Sequence, residues 1–464
     1  MKKRSVDRRA QKLSDIGALL FLTIMFLVPL MQENVGEKNT LCIATFAING
    51  VFFMFGIRTA IRKYSVSIEM ICWIFMFFFL YFAPVLQYKN GQFPWKGRLS
   101  DGEILQANLI VFLFSSFFVF GKKMAKHVRV NQLSKKERPA FFCDTFAYSK
   151  RARRVVTVLM CLLALYSLSR TGLSGIVTSR NNAIQAFYSG NNLTIELIME
   201  SVIPAFMAYT VAEAAQSMVQ KKENGIRFCI VSLCLLVCFF PTTLPRYKMA
   251  VIYGTIFLVL CPWIKKNNRF FWLFTLGMFI VFPLLGGARR VLGWDSFKGV
   301  FEEGLLGVYL KGDYDTYRML VSALRYVEEE GITWGYQLLG VLFFFVPRSI
   351  WPSKPVGSGA MSIQSELGSN VFSNVASPFV GEGFINFGLI GVVLFGVFLG
   401  FFAHKTDKAY WDNSDDSKGF SFSPYLFVTF MMFFMLRGDL LSSYAYVCGF
   451  VATGYLLRSV SKYL

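Results

Sequence analysis

Long apolar runs recur along almost the whole chain, separated by short segments that carry most of its charge, and this pattern constrains the fold more than any motif does. A bilayer core takes about 20 mostly apolar residues per helix. Candidate runs lie near Ile16–Met31, Leu41–Ile57, Ile68–Leu86, Ile104–Phe120, Val155–Ser169 and Leu193–Ala215. Six more lie near Phe228–Pro241, Met249–Ile264, Phe270–Leu285, Ile385–Ala403, Pro424–Leu436 and Ser443–Leu457. The reading is an all-α polytopic membrane protein of about 12 transmembrane helices, a single integral domain over residues 1–464. Composition agrees. Only 16% of residues are charged and 55% are hydrophobic, where an average soluble domain carries about a quarter charged residues.

The cations set the orientation. With the N-terminal MKKRSVDRRAQK inside, cytoplasmic segments hold 31 Lys and Arg and external segments 17. The segment from Gly121 to Arg154 alone holds eleven. Lys and Arg accumulate in cytoplasmic loops, so both termini are expected in the cytoplasm. The net charge of +20 is thereby spread over membrane loops, and no nucleic-acid partner is expected. The first span has a basic flank but no small-residue cleavage site before QENVGEKN, which reads as a retained anchor. All nine Cys fall in spans or in the cytoplasmic loop, and the spacing of Cys229, Cys234 and Cys238 matches no zinc signature. No disulfide framework, metal or cofactor is expected.

One external segment, 286–388, is far longer than an ordinary connection, and such loops are usually functional. Asp313 to Glu330 reads as an amphipathic helix with Tyr317, Leu320, Leu324 and Val327 on one face. Leu338 to Val346 is apolar but about half the length needed to cross. It is expected to dip into the outer leaflet or lie on it, as a re-entrant or interfacial segment. It runs into VPRSIWPSKP, where prolines stiffen the exit. No repeat or low-complexity tract is present.

Several chemistries are excluded. Both His, His127 and His404, fall on the cytoplasmic side, so no external Ser-His or Cys-His arrangement exists. VGSGAM and VGEGFI lack the last glycine of a dinucleotide fingerprint, and there is no Walker lysine loop. What remains outside is a set of cations beside Pro or Gly at span ends: Arg246 and Lys248 in PTTLPRYK, Arg289 and Arg290 after Gly286-Gly287, Arg348 and Lys354, and Arg437. Arg170 and Arg180 lie in SRTGLSGIVTSR. Arg grips phosphate bidentately and Lys binds it as a point charge, so such a set suits a pyrophosphate at the membrane surface. The alternative for each is snorkelling to lipid headgroups or pairing with an acid. Among the acids, Glu382 lies in SPFVGEGFINFG before a span, Glu366 in QSELGSN, and Glu196 and Glu200 share a helix face. Asp313 and Asp315 read as a helix cap. A general base needs one carboxylate within reach of a sugar hydroxyl; Glu382 is one candidate, with a helix-entry role beside the dipole as its alternative, and the sequence does not single out which carboxylate serves.

VPRSIWPSKP followed by SPFVGEGFINFG, together with FFFLYFAPVLQYKNGQFPW (Phe77–Trp95), LPRYK (Leu244–Lys248) and RGDL (Arg437–Leu440), resembles the polysaccharide polymerases of the O-antigen (Wzy) type. The resemblance touches most of the chain at low motif density. It implies about a dozen spans, a large external loop and a glycosyltransferase-C-like helical fold in a bacterial inner (plasma) membrane. It also implies transfer of a growing glycan from undecaprenyl pyrophosphate to an incoming lipid-linked oligosaccharide repeat unit, for O-antigen, capsule or exopolysaccharide. Substrate-binding roles would then fall on Arg246, Arg289, Arg290, Arg348 and Arg437, with Arg348 and Glu382 placed as catalytic and Lys248 and Lys354 beside them. Arg348 and Gly359 fit an Arg–Gly spacing described in some members. The implied partners are the lipid-linked oligosaccharide, membrane lipid, a chain-length regulator and a flippase of the same pathway. Related O-antigen ligases use an external His, which is missing here, and a lipid-linked oligosaccharide flippase would place polar residues along mid-membrane helices, often in repeated halves.

Overall fold

A computed structural model describes residues 8–95, 97–127, 143–172, 193–281, 304–368, 375–413 and 420–464, and the regular structure in them is all helical. Eight helices are long and apolar enough to cross a bilayer. They are α1 (Arg8–Met31), α2 (Thr40–Lys63), α3 (Ile68–Asn90), α4 (Asp101–His127), α5 (Lys150–Thr171), α7 (Gly225–Cys238, its apolar stretch running on to Thr243), α13 (Phe379–Asn413) and α15 (Leu440–Tyr463). Over its described residues the protein is an all-helical membrane protein.

Four of the twelve expected spans are not among the eight. α6 (Leu193–Val219) is 27 residues long, and the side chains of residues 193–199 lie outside the described residues. The helical stretch 246–260, α8, contains a π-turn at Ala250–Gly254. It extends about 22 Å at the ordinary helical rise, short of the ~30 Å hydrocarbon core. α14 (Pro424–Arg437) is apolar and about 20 Å long by the same rise, and α9 is apolar over its described residues, Arg269–Val281. For α8 the reason is local: Pro262 follows its end, and sequence hydropathy does not register a break within an apolar stretch.

The chain divides into two compact units, residues 1–131, 264–407 and 432–443 in the first and 132–263, 408–431 and 444–464 in the second. In the first unit α3 is buried on every face, as an all-round apolar helix must be. Ser67 caps its start by accepting from Met70 N–H at 3.1 Å, and Asp407 accepts from Ile68 N–H at 2.8 Å and Glu69 N–H at 3.1 Å. α2 lies so close that a Cβ on Gly56 would strike the Trp73 ring. The part of the external segment that is described includes three helices of seven residues or more, α10 (Thr316–Glu330), α11 (Tyr336–Leu342) and α12 (Ser358–Leu367), after short helical turns over 304–314. α10 forms where its amphipathic period predicts, with Tyr317, Leu320 and Leu324 buried. Tyr317 donates to Ile104 O at 3.0 Å and Asn108 Oδ1 at 2.9 Å, fixing α10 to α4.

α13 begins six residues before the expected Ile385, and is broken at Phe387 (φ −145°, ψ 19°) and Gly388 (φ 60°, ψ −142°). The positive φ at Gly388 explains a glycine there, since a side chain would be strained. Residues 379–386, ahead of the break, are buried in protein.

The second unit is organised by a charged cluster. Arg153 and Arg227 both pair with the fully buried Glu213 and with Glu223. An aromatic group of Phe146, Tyr209, Phe422 and Phe427 packs beside it in the same unit.

Candidate functional site

The turn Arg437–Leu440, between α14 and α15, holds together three parts of the first unit. Arg437 Nη2 donates to Asp315 Oδ1 at 3.1 Å and to Gly312 O at 3.3 Å, just ahead of α10. Asp439 accepts from Gly359 N–H at 3.2 Å, in the first turn of α12, and from Leu441 N–H at 2.9 Å in the first turn of α15. Glu382, in the first turn of α13, accepts from Ser358 Oγ at 2.8 Å and from Leu440 N–H at 3.2 Å. Two carboxyls thus converge on the starts of the same two helices, where unpaired N–H groups and the helix dipole favour negative charge. A Cβ on Gly357 would run into the Asp439 carboxylate, so only glycine lets the chain pass.

The two carboxyls differ in access. Glu382 is 1% exposed with both oxygens engaged, whereas Asp439 is half-buried. Burial pushes the Asp439 carboxyl above the usual carboxylate range, and the backbone N–H groups of Gly359 and Leu441 offset this only in part. Among the described residues neither Glu382 nor Asp439 forms an ion pair.

Arg437 sits beside them with donor capacity to spare. Its Nε is buried without a hydrogen-bond partner among the described residues. Its partner Asp315 is 1% exposed and also accepts from Trp95 Nε1 at 3.0 Å. Burial raises the Asp315 carboxyl, against the lowering effect of the Arg437 charge and the Trp95 hydrogen bond. Asp315 occupies the expected cap position of α10, but its side chain makes no capping bond and turns to Arg437 instead. A second ionic group flanks this one on α10. The fully buried Arg318 and the half-buried Arg325 both bond Glu366, Arg325 reaches on to Glu103, and Ser322 Oγ donates to Glu366 at 2.8 Å.

The remaining expected residues fall elsewhere. Arg348 Nη1 donates to Lys354 O at 2.6 Å and Nη2 to Pro355 O at 3.2 Å. Lys354 Nζ donates to Phe344 O at 2.5 Å and Val346 O at 3.0 Å. Arg246 and Lys248 belong to the second unit. There Lys248 is buried, 3.1 Å from the Glu200 carboxylate and 4.5 Å from the Tyr446 ring centre, while Tyr446 OH also bonds Glu200. Arg170 is exposed at the end of α5. Arg289, Arg290, Arg180 and the Glu196 side chain lie outside the described residues. Asp439 was visible in the sequence only as the neighbour of Arg437, and no local signal linked it to Glu382. Among the described residues no group of three His, Cys, Asp or Glu is placed to hold a metal ion.

Comparison with family models, curated proteins and solved structures finds no match in any of the three.

Proposed function

We propose that the protein is a polysaccharide polymerase of the O-antigen type, which transfers a growing glycan from undecaprenyl pyrophosphate to an incoming lipid-linked repeat unit at the external membrane face. In this reading the shorter helices α8, α9 and α14, with α6, complete a twelve-span topology in a bacterial plasma membrane with both termini cytoplasmic. The observation that supports it best is the gathering of two carboxyls and an arginine with an unspent donor on the Arg437–Leu440 turn.

The chemistry needs those groups. An acceptor sugar hydroxyl attacks the anomeric carbon of the donor glycan, and the new glycosidic C–O bond forms. The bond from that carbon to the pyrophosphate oxygen breaks, and its electron pair leaves with undecaprenyl pyrophosphate. The hydroxyl proton passes to the carboxyl pair, with Asp439 as the member that has exposed surface and Glu382 holding the turn in place. Fixed cations stabilise the charge developing on the leaving phosphate, a role for Arg437 and for the donors left on Arg348 and Lys354. Arg289 and Arg290 remain candidates for the same role. The donor is already activated, so no nucleotide is required.

The test is to incubate the purified protein in proteoliposomes with one lipid-linked repeat unit. The reading predicts a ladder of longer glycans with matching release of undecaprenyl pyrophosphate; lipid pyrophosphate without elongation, or no product, contradicts it.

A further inference from the structure

We infer that residues 334–356 form a wedge that docks on the phospholipid leaflet, at the level where α13 enters the hydrocarbon, and that Arg348 and Lys354 cap the wedge's own carbonyls so that it can lie there.

The level is set by hydrogen bonds. Thr333 N–H and Oγ1 donate to Ile385 O at 3.0 and 3.1 Å, and Leu338 N–H donates to Asn386 Oδ1 at 3.3 Å. These bonds grip α13 in the turn before its break at Phe387–Gly388. Ahead of the break α13 is enclosed by protein. Just beyond it Leu389 and Ile390 are exposed (68% for Ile390), and Leu394 and Phe398 continue that apolar face one turn apart. An apolar helix face left bare on a membrane protein faces lipid. The segment tied to the break therefore sits at the edge of the bilayer.

That segment presents its own apolar groups outward. Trp334 is 76% exposed and Ile350 75%, with Leu342 and Phe345 more than half exposed between them. α11 is about 10 Å long at the ordinary rise, far too short to cross. It is followed by turns, whose backbone is irregular. Water would satisfy irregular carbonyls without help, but in a lipid environment each must find a partner in the protein. Here they do. Lys354 caps the carbonyls of Phe344 and Val346, Arg348 those of Lys354 and Pro355, and Tyr336 OH that of Ser353 at 2.6 Å. Trp and Tyr at the rim suit the interface, where one end of the ring is apolar and the other wet. Charge complements the same partner: a guanidinium has five N–H donors and an ammonium three, so both cations keep donors for lipid phosphates.

The wedge needs only that the chain is a membrane protein, so its test uses phospholipid vesicles without any polyprenyl lipid. Full-length protein and the Trp334→Phe variant are reconstituted with phospholipids brominated at shallow or at deep acyl positions, and the difference emission isolates Trp334. The expected result is strong quenching of the Trp334 emission by shallow bromines, weaker quenching by deep ones, and protection from an aqueous quencher. Emission open to the aqueous quencher and untouched by either bromolipid overturns the inference. A second readout avoids substitution: a phospholipid with a photoreactive acyl chain should label peptides covering residues 342–350 in the unmodified protein. Absence of that label, or a chain-to-chain crosslink through the segment showing that a second copy covers it, would also overturn it.

Discussion

Arg437→Ala leaves the Asp315 carboxyl buried with Trp95 as its remaining side-chain hydrogen-bond donor, and the consequences can be followed step by step. Breaking a buried ion pair by removing one partner costs about 3–5 kcal/mol. The Arg437 side chain is 26% exposed, so water screens part of the interaction, and a loss of about 2 kcal/mol is the reasonable expectation. Asp315→Asn in the same background removes the stranded charge while keeping an acceptor for Trp95. The double variant should therefore recover most of the lost stability, giving a coupling of about 1–2 kcal/mol in a double-mutant cycle. The pH dependence has a definite sign. Burial already raises the Asp315 carboxyl, and loss of Arg437 removes the main opposing influence. In Arg437→Ala the folded state therefore binds a proton more readily than the unfolded state, and its deficit against wild type shrinks as pH falls through that raised value. Thermal unfolding in detergent micelles, followed between pH 5 and 8 by intrinsic fluorescence, reads all three variants. Additive effects of the two substitutions, or a deficit that grows on acidification, would refute the reasoning. Elongation separates structure from function: the double variant should regain stability and still fail to make polymer.

Other outcomes follow from neighbouring contacts. Glu366→Gln strips the fully buried Arg318 of its carboxylate and should cost about 3 kcal/mol, seen as a lower unfolding temperature. In wild type, burial acts to raise the Glu366 carboxyl, but Arg318, Ser322 and Arg325 outweigh it and hold the value below the usual range. The stability that Glu366 supplies is thus present at neutral pH and lost as pH falls through that lowered value, and the variant should show a flatter acid limb. Gly357→Ala drives a methyl into the Asp439 carboxylate; chain elongation should fall while yield and insertion of the protein stay near wild type. Unchanged polymer length in Gly357→Ala would remove Asp439 from the site.

What the sequence reveals and conceals has physical causes. Hydropathy locates eight spans because a long apolar helix needs no partner to be recognised. It does not register the π-turn and the Pro262 break within α8, because neither changes the composition of an apolar run. It places the start of α13 too late, because residues 379–386 are buried in protein and carry the Gly, Glu and Asn of a polar site. The amphipathic period of α10 is local and was legible. The bond from Arg437 to Asp315 joins residues 122 apart in the chain, and that from Glu382 to Leu440 joins residues 58 apart. No spacing rule reaches that far. The cations of VPRSIWPSKP suggested an anion clamp, but much of their donor capacity is used on the loop's own carbonyls, which depends on turn geometry alone.

The central claim is that a carboxyl pair on the Arg437–Leu440 turn takes the proton during glycosyl transfer. It is tested most directly by comparing wild type with Asp439→Asn in the single-repeat-unit elongation assay, in proteoliposomes, with unfolding temperature measured alongside. The account predicts elongation slowed about 100-fold or more in the variant; Gly359 and Leu441 donate to different oxygens of Asp439, so the amide oxygen keeps one of these bonds and the fold is retained with a lowered unfolding temperature. It also predicts a wild-type rate that rises with pH through a value above the usual carboxylate range. Ladders of wild-type length and rate from Asp439→Asn would contradict it.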